Sequence, residues 1–162
     1  MHIRIATLDD AEALRTIYNH YVTSSAATFD LEERTSKDQV EWMADRSGAM
    51  AVLVAVDEQD AVLGFASLSP YKERAAYRTS VENSIYLDPA AVGHGTGSAL
   101  MNRLIEVARQ HGFHSIIARV NAALEASVGL HKSVGFETVG IEREIGRKFG
   151  KWHDVEILQL ML

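Results

Sequence analysis

Three glycines alternate in Val92-Gly93-His94-Gly95-Thr96-Gly97, directly ahead of a helical run from Ser98 to His111. Glycine lacks Cβ, so a ligand can come up against the main chain there and φ can turn positive. The amides that open the following helix have no partner inside it and lie at the positive end of its dipole, which suits an anion. Residues 92–98 therefore read as a cradle for the pyrophosphate of a cofactor. Just upstream, Glu82, Ser84 and Tyr86 alternate with Val81, Asn83, Ile85 and Leu87. In an extended segment the first set shares one face and the second set the other. A carboxylate on the polar face, beside an anion cradle, is a candidate general base. Downstream, Leu124, Ser127, Val128 and His131 fall on one helical stripe. Ser127 and an imidazole that titrates near neutrality can then face one cleft.

Other chemistries lack their residues. The 162-residue chain has no cysteine, which excludes disulfides and thiolate chemistry and fits a cytoplasmic setting. Its seven histidines are scattered without HExxH or similar spacing, so no metal site is expected. Neither a GxxxxGK[ST] phosphate loop nor a GxSxG nucleophile elbow occurs. The glycine run fits GxGxG rather than the dinucleotide GxGxxG, and no early βαβ unit leads into it. A formal charge of −6 argues against binding along a nucleic-acid backbone, although a helix terminus still offers local positive potential to a small anion. No stretch approaches the ~18 apolar residues of a membrane span, and Met1–Ile5 lacks the apolar core of a leader. The expectation is a single domain over residues 1–162 with a small-molecule partner, without nucleic acid or membrane.

Periodicity supplies the elements that would position these groups. Ile3–Ala6 reads as a strand, and Thr7 with Asp10 as a capping box for a helix through Ala11, Leu14, Ile17, Tyr18 and Tyr21. Ser36 is expected to cap a second helix through Val40, Trp42 and Met43. The nearly apolar Ala49–Val56 reads as a buried strand, paired through the turn Asp57–Asp60 with Ala61–Leu68. Val81–Leu87 is a strand, and Leu100, Met101, Leu104, Ile105 and Ala108 mark the core face of the helix that Gly112 stops. Ser115–Val120 is a strand and Leu124–Val134 a helix stopped by Gly135. Phe136–Ile145 and about Val155–Met161 close the chain as strands. The order is β-α-α-β-β-β-α-β-α-β-β. Its central βαβ unit makes part of the sheet parallel while the ends are antiparallel. The fold class is mixed α/β, a mostly antiparallel central sheet flanked by helices.

Specific residues then match a known family. Ile17-Tyr18-Asn19-His20 lies in the first helix. Pro70-Tyr71-Lys72-Glu73-Arg74-Ala75-Ala76-Tyr77 runs on to Val81-Glu82-Asn83-Ser84-Ile85-Tyr86-Leu87. Ser127-Val128-Gly129-Leu130-His131-Lys132 leads into Gly135-Phe136, and Gly146-Arg147-Lys148-Phe149-Gly150-Lys151-Trp152-His153-Asp154 closes the series. With these segments the chain resembles the GCN5-related N-acetyltransferases, within them the phosphinothricin and methionine sulfone/sulfoximine acetyltransferases. The resemblance implies the acyl-CoA N-acyltransferase fold, a homodimer, and direct transfer of acetyl from acetyl-CoA to a primary amine.

It also implies roles. Glu82 takes the proton of the amine, and His131, where many relatives carry tyrosine, serves the departing thiolate. Ile85, Tyr86 and Leu87 lie along the pantetheine and thioester, where a main-chain amide can stabilise the oxyanion. Val92, Gly93, His94, Gly95, Thr96, Gly97 and Ser98 hold the diphosphate, and Leu124 and Ser127 flank the cofactor arm. Arg74 anchors a substrate carboxylate through paired bonds, Phe29, Ala76 and Tyr77 wall the substrate, Ser84 shares the face of Glu82, and Lys148 belongs to the tail segment near the active site and dimer contact. Two positions depart from the family pattern. Val92 stands where Arg or Gln usually opens the cofactor loop, and Leu124 where Asn usually precedes the serine. Hydrogen bonds of roughly 0.5–3 kcal/mol each are lost, on the order of 10–1000-fold in cofactor affinity if nothing compensates. Alternatives are transfer to another amine, such as a polyamine or a protein N-terminus, and a CoA-binding regulatory module that has lost catalysis.

Overall fold

The computed structural model describes residues 1–162. Its elements are β1 (His2–Ile5), α1 (Ala11–Ser24), α2 (Ser36–Ala44), β2 (Leu53–Val56), β3 (Val62–Pro70), β4 (Ser80–Leu87), α3 (Thr96–Gln110), β5 (Ser115–Asn121), α4 (Glu125–Ser133), β6 (Glu137–Lys148) and β7 (Lys151–Met161). The seven strands form one sheet in the order β1-β2-β3-β4-β5-β7-β6. Only β4 and β5 run parallel, because α3 carries the chain back across the sheet between them.

Helices cover both faces of the sheet. On one, Leu100, Met101 and Leu104 of α3 pack against Leu53, Ala66, Leu68, Val81 and Ile116. On the other, Leu14, Ile17 and Tyr18 of α1 and Met43 of α2 pack against Val54, Val56 and Phe65. Each fully buried leucine stabilises the fold by roughly 1.5–3 kcal/mol relative to exposure. All four residues of β2 are buried, which is why its sequence is an unbroken apolar run rather than an alternating one.

Several boundaries differ from the sequence reading: the Thr7–Asp10 capping box opens a 3-10 turn, Leu8–Asp10, ahead of α1, and three further shifts have a clear local cause. Residues Gly48–Met50 make a single 3-10 turn ahead of β2; Gly48 at φ 56° interrupts the extended run that was expected from Ala49. Thr35, not Ser36, caps α2: its hydroxyl accepts from the Asp38 N–H at 3.1 Å, and the Asp38 carboxylate takes the Thr35 N–H at 3.0 Å. The last hairpin extends to Lys148 and from Lys151. Its outer half is held by ladder bonds and a turn at Phe149-Gly150, both at positive φ, so hydrophobicity does not mark it.

The feature that positions the site is an opening in the sheet. The β4–β5 register comprises Ser80–Ser115, Val81–Ile116 and Glu82–Ile117 and ends there. Beyond Glu82, β4 stays with β3 up to Gly64–Leu87, while β5 stays with β7 up to Asn121–Val155. Gly64 permits the close β3 contact: a Cβ there would lie 2.6 Å from Leu87 Cδ2 and 2.8 Å from the Tyr86 carbonyl. The two central strands therefore diverge into a V.

Candidate active site

A cleft of about 1100 Å³ occupies the V. The start of α3 forms its first wall. Gly93 and Gly95 have φ of 84° and 83°, and nothing lies within 4 Å of where a Cβ would stand on either. The first bond of the helix is Ala99 N–H to the Gly95 carbonyl at 3.0 Å, so the Thr96, Gly97 and Ser98 amides have no main-chain acceptor. No acidic residue sits in that first turn. Open space, unpaired donors and a helix dipole make this an anion cradle by chemistry as well as by spacing.

Glu82 lies where the strands part, on the same face as Ser84 and half-buried. Burial pushes its carboxyl pKa up, against the nearby Arg119 cation, while Glu142 adds to the rise. Arg119 is itself ion-paired with Glu142, which divides its charge between the two carboxylates. A carboxylate held above its ordinary range is better matched to taking protons near neutrality.

His131 sits on the opposite side of β4 from Glu82, 2% exposed on α4. Its Nδ1 lies 2.7 Å from the Ser127 carbonyl, which must be the acceptor, so Nδ1 carries hydrogen. Its Nε2 lies 3.0 Å from Asn83 Nδ2 and accepts from that amide. Burial holds the imidazole pKa down. In this state Nε2 offers a lone pair and no proton. The Asn83 carbonyl oxygen is buried without a partner.

Phe29, on the loop after α1, closes the third wall with Ser25–Thr28. It packs on Gly146, where a Cβ would lie 2.2 Å from the ring. Tyr86 stacks edge-on to Tyr18 at 5.0 Å between ring centres, and burial raises its phenol pKa. Tyr21 donates its hydroxyl to the Leu87 carbonyl at 2.8 Å, pinning the diverging end of β4 to α1.

The cleft brings together Glu82, Ser84, Ile85, Tyr86, Leu87, Val92, Gly93, Gly95, Gly97, Ser98, Leu124, Ser127, His131 and Phe29. Six expected residues lie outside its lining. His94 is exposed and Thr96 is buried within the helix turn; the Thr96 amide remains available although its side chain faces the core. Arg74, Ala76 and Tyr77 stand on an exposed turn before β4, where Tyr77 packs on Tyr71. Lys148 is 4% exposed, and its ammonium donates to the Thr28 carbonyl at 2.8 Å and the Tyr21 carbonyl at 3.4 Å. It fastens the last hairpin to the loop that carries Phe29 and does not face the cleft.

Sequence reading missed Asn83, Arg119, Asn121 and Tyr21. Asn83 falls in the apolar register of β4, a polar residue in a buried row and hence a detectable anomaly. Asn121 ends β5, donating to the Ala26 carbonyl at 3.2 Å and accepting from the Ala123 N–H at 3.0 Å. Its amide is thereby committed to loop structure and does not replace the asparagine absent at Leu124.

Residues 3–157 match the model of the acetyltransferase (GNAT) domain. A phosphinothricin N-acetyltransferase of Streptomyces coelicolor is 38% identical over 96% of this chain and 92% of its own. An L-methionine sulfoximine/L-methionine sulfone acetyltransferase of Salmonella typhimurium is 34% identical over 100% and 95%. Among solved structures, a GNAT phosphinothricin acetyltransferase from Sinorhizobium meliloti in complex with AcCoA superposes with a TM-score of 0.96 at 34% identity, covering 99% of this chain and 88% of that one. A ribosomal-protein-alanine N-acetyltransferase from Brucella melitensis superposes with a TM-score of 0.97 at 37% identity, covering 100% of each.

Proposed function

The chain belongs to the GNAT acetyltransferase family, and on that premise we propose that it acetylates the primary amine of a small amino acid or analogue. Acetyl-CoA is the co-substrate and supplies the acetyl group as an activated thioester. The residues present fit it: an open glycine turn, three unpaired amides at the start of α3, and a cleft that enters the sheet. The observation that carries the reading is that this one cleft joins the amide cradle to a half-buried carboxylate with a raised pKa.

Gly93 to Ser98 hold the diphosphate through main-chain donors. Ile85, Tyr86 and Leu87 line the path of the pantetheine arm, and Leu124 and Ser127 bound it from α4. Glu82 takes a proton from the acceptor ammonium, directly or through water. The freed nitrogen forms its bond to the carbonyl carbon, the carbon–sulfur bond breaks, and the nitrogen gives up its second proton to water as the amide forms. Beyond Glu82 the β4 main chain has no β5 partner, so an amide facing the opened seam can stabilise the oxyanion. His131 gives a proton to sulfur in its charged form, which burial makes less populated and more acidic than an ordinary imidazolium. Arg74 anchors the acceptor carboxylate from the turn that leads into β4, with Ala76, Tyr77, Phe29 and Ser84 around the acceptor. Lys148 supports this site through the Phe29 loop. A homodimer and a cytoplasmic setting belong to the same reading. The dimer is supported by exposed Val139, Ile141 and Ile145 on the edge strand β6.

The relatives' names favour amino-acid acceptors, and the likeness to a ribosomal-protein-alanine enzyme keeps a protein N-terminus as the second reading. Thiol release from acetyl-CoA, followed with methionine sulfone, phosphinothricin, spermidine and an alanine-initiated peptide, separates them. Turnover with the first two acceptors at kcat/KM at least ~100-fold above the others is expected. Preference for the peptide would replace this reading, and turnover with none would favour the regulatory module.

A further inference from the structure

Behind the acceptor side of the cleft lies a second hollow of about 190 Å³. Arg34 and Arg46 both line it, with Trp42 from α2 and Ser84 and Tyr86 from β4. Each guanidinium packs on the Trp42 ring, Arg46 at 4.1 Å and Arg34 at 5.0 Å from its centre, and Arg34 also covers Tyr18 at 3.6 Å. Neither arginine forms an ion pair, although six other basic residues of the chain do. No carboxylate lines the hollow.

Like charges brought together this way repel. Arg46 is half-buried, and desolvation and the Arg34 charge both weaken its hold on its proton, with only Asp45 opposing. Its committed bonds are to the Leu68 carbonyl at 2.8 Å and the Ser69 hydroxyl at 3.2 Å; Arg34 gives one, to Gln39 Oε1 at 3.2 Å. A guanidinium has five N–H donors, so several remain unspent here. Ser67 stands directly across from Ser84 in the β3–β4 register, on the same sheet face, and its hydroxyl is buried without a partner. The arrangement concentrates donors and positive charge and places no carboxylate in its lining, which suits a small oxyanion.

Ser84 and Tyr86 line this hollow and the cleft alike, and Ser84 is two residues from Glu82 on one face of β4. We propose that Arg34 and Arg46 form a subsite for a second oxyanionic group on the acceptor, one carried by its side chain. This rests on the amino-acid reading above and sharpens it. An acceptor with an anionic side-chain head, such as a phosphinate, is preferred to one with a neutral sulfone.

Two measurements test this. In a Trp152→Phe background Trp42 is the remaining tryptophan, and its emission reports on the two stacked guanidiniums. Titration with methylphosphinate should give a saturable change, and Arg46→Gln and Arg34→Gln should each weaken it by roughly tenfold or more. Arg46→Lys, which keeps the charge, should recover part of it. Circular dichroism melts identify a variant that fails to fold, and Arg34→Gln stands in if Arg46→Gln does. No saturable change up to tens of millimolar, or equal binding in both glutamine variants, overturns the subsite whatever the enzyme acetylates. In turnover, the glutamine variants should lose roughly 10–100-fold in kcat/KM for phosphinothricin, mainly through KM, and less than about threefold for methionine sulfone. Equal losses for both acceptors overturn the side-chain assignment. Absence of turnover with either acceptor in the unsubstituted enzyme counts against the amino-acid reading and leaves the emission result to decide the anion site.

Discussion

Glu82 and His131 show how one strand can set two protonation states. They lie on opposite faces of β4, and burial acts on both in opposite senses: it raises the acid and lowers the base, so each favours its neutral form. For Glu82 the folded-state pKa exceeds the unfolded one. Folding is therefore favoured by the protonated form, and that contribution is lost as pH rises through the folded pKa. Glu82→Gln should lower kcat by about 10²–10⁴-fold and leave acetyl-CoA binding intact. Its melting temperature at pH 7 should equal or exceed that of the parent, with the difference closing toward pH 4. A variant that keeps its turnover removes Glu82 from the chemistry. Asn83 makes a second, independent test. Its Nδ2 serves the neutral imidazole, and the unpartnered Oδ1 can accept from Nε2–H once the ring is charged and the amide turns over. Asn83→Asp places a pure acceptor beside Nε2 and should raise the His131 pKa. The His131 ring resonances in an NMR titration measure this directly; an unmoved midpoint would show that Asn83 does not govern the proton.

At the scale of elements, the glycine turn and the start of α3 carry, in the proposed reading, the cofactor end of the site through main chain alone. That explains how the loop tolerates Val92, which is 51% exposed at the cleft rim. Val92→Arg should restore a charge-assisted bond of about 1.5–3 kcal/mol, seen as roughly a tenfold fall in KM for acetyl-CoA. The melting temperature should stay unchanged, because the position has no core contacts to lose. Steady-state kinetics at saturating acceptor decide it, and an unaltered KM means that the side chain at this position never reaches the phosphates. This element was legible in the sequence because glycine spacing and a helix start are local signals. So was Glu82, through alternation. The divergence of β4 from β5 was not, since it depends on which partner each strand keeps, and nothing within residues 80–87 records that. Lys148 was misplaced for a similar reason: its segment is recognisable, but only the fold reveals that its ammonium is occupied by two carbonyls of a distant loop. Arg34 and Arg46, 12 positions apart in the sequence, converge only because α2 folds down onto the sheet.

For the whole molecule, the feature that bears on assembly is the sheet edge. β1 and β6 are the two terminal strands. β1 is only four residues long, which discourages pairing, whereas β6 is twelve residues long. On β6 and its turn, Val139, Ile141, Ile145 and Phe149 are each more than half exposed, as is Trp152 just beyond. A monomer seldom leaves so many large apolar side chains on one hairpin. The same hairpin presses Gly146 against Phe29 and Lys148 against the Phe29 loop, so a partner docked on β6 would brace the acceptor wall of the cleft. Ile141→Glu adds a charge at the centre of this strip without touching any cleft residue. It should convert a dimer to a monomer in light scattering coupled to size exclusion. If the dimer braces the Phe29 loop, KM for the acceptor should rise several-fold while KM for acetyl-CoA stays constant, since the phosphate cradle lies on α3, far from β6 in the strand order. A parent protein that runs as a monomer at micromolar concentration ends the dimer reading. A monomeric variant with unchanged acceptor KM would keep the dimer and remove its influence on the site.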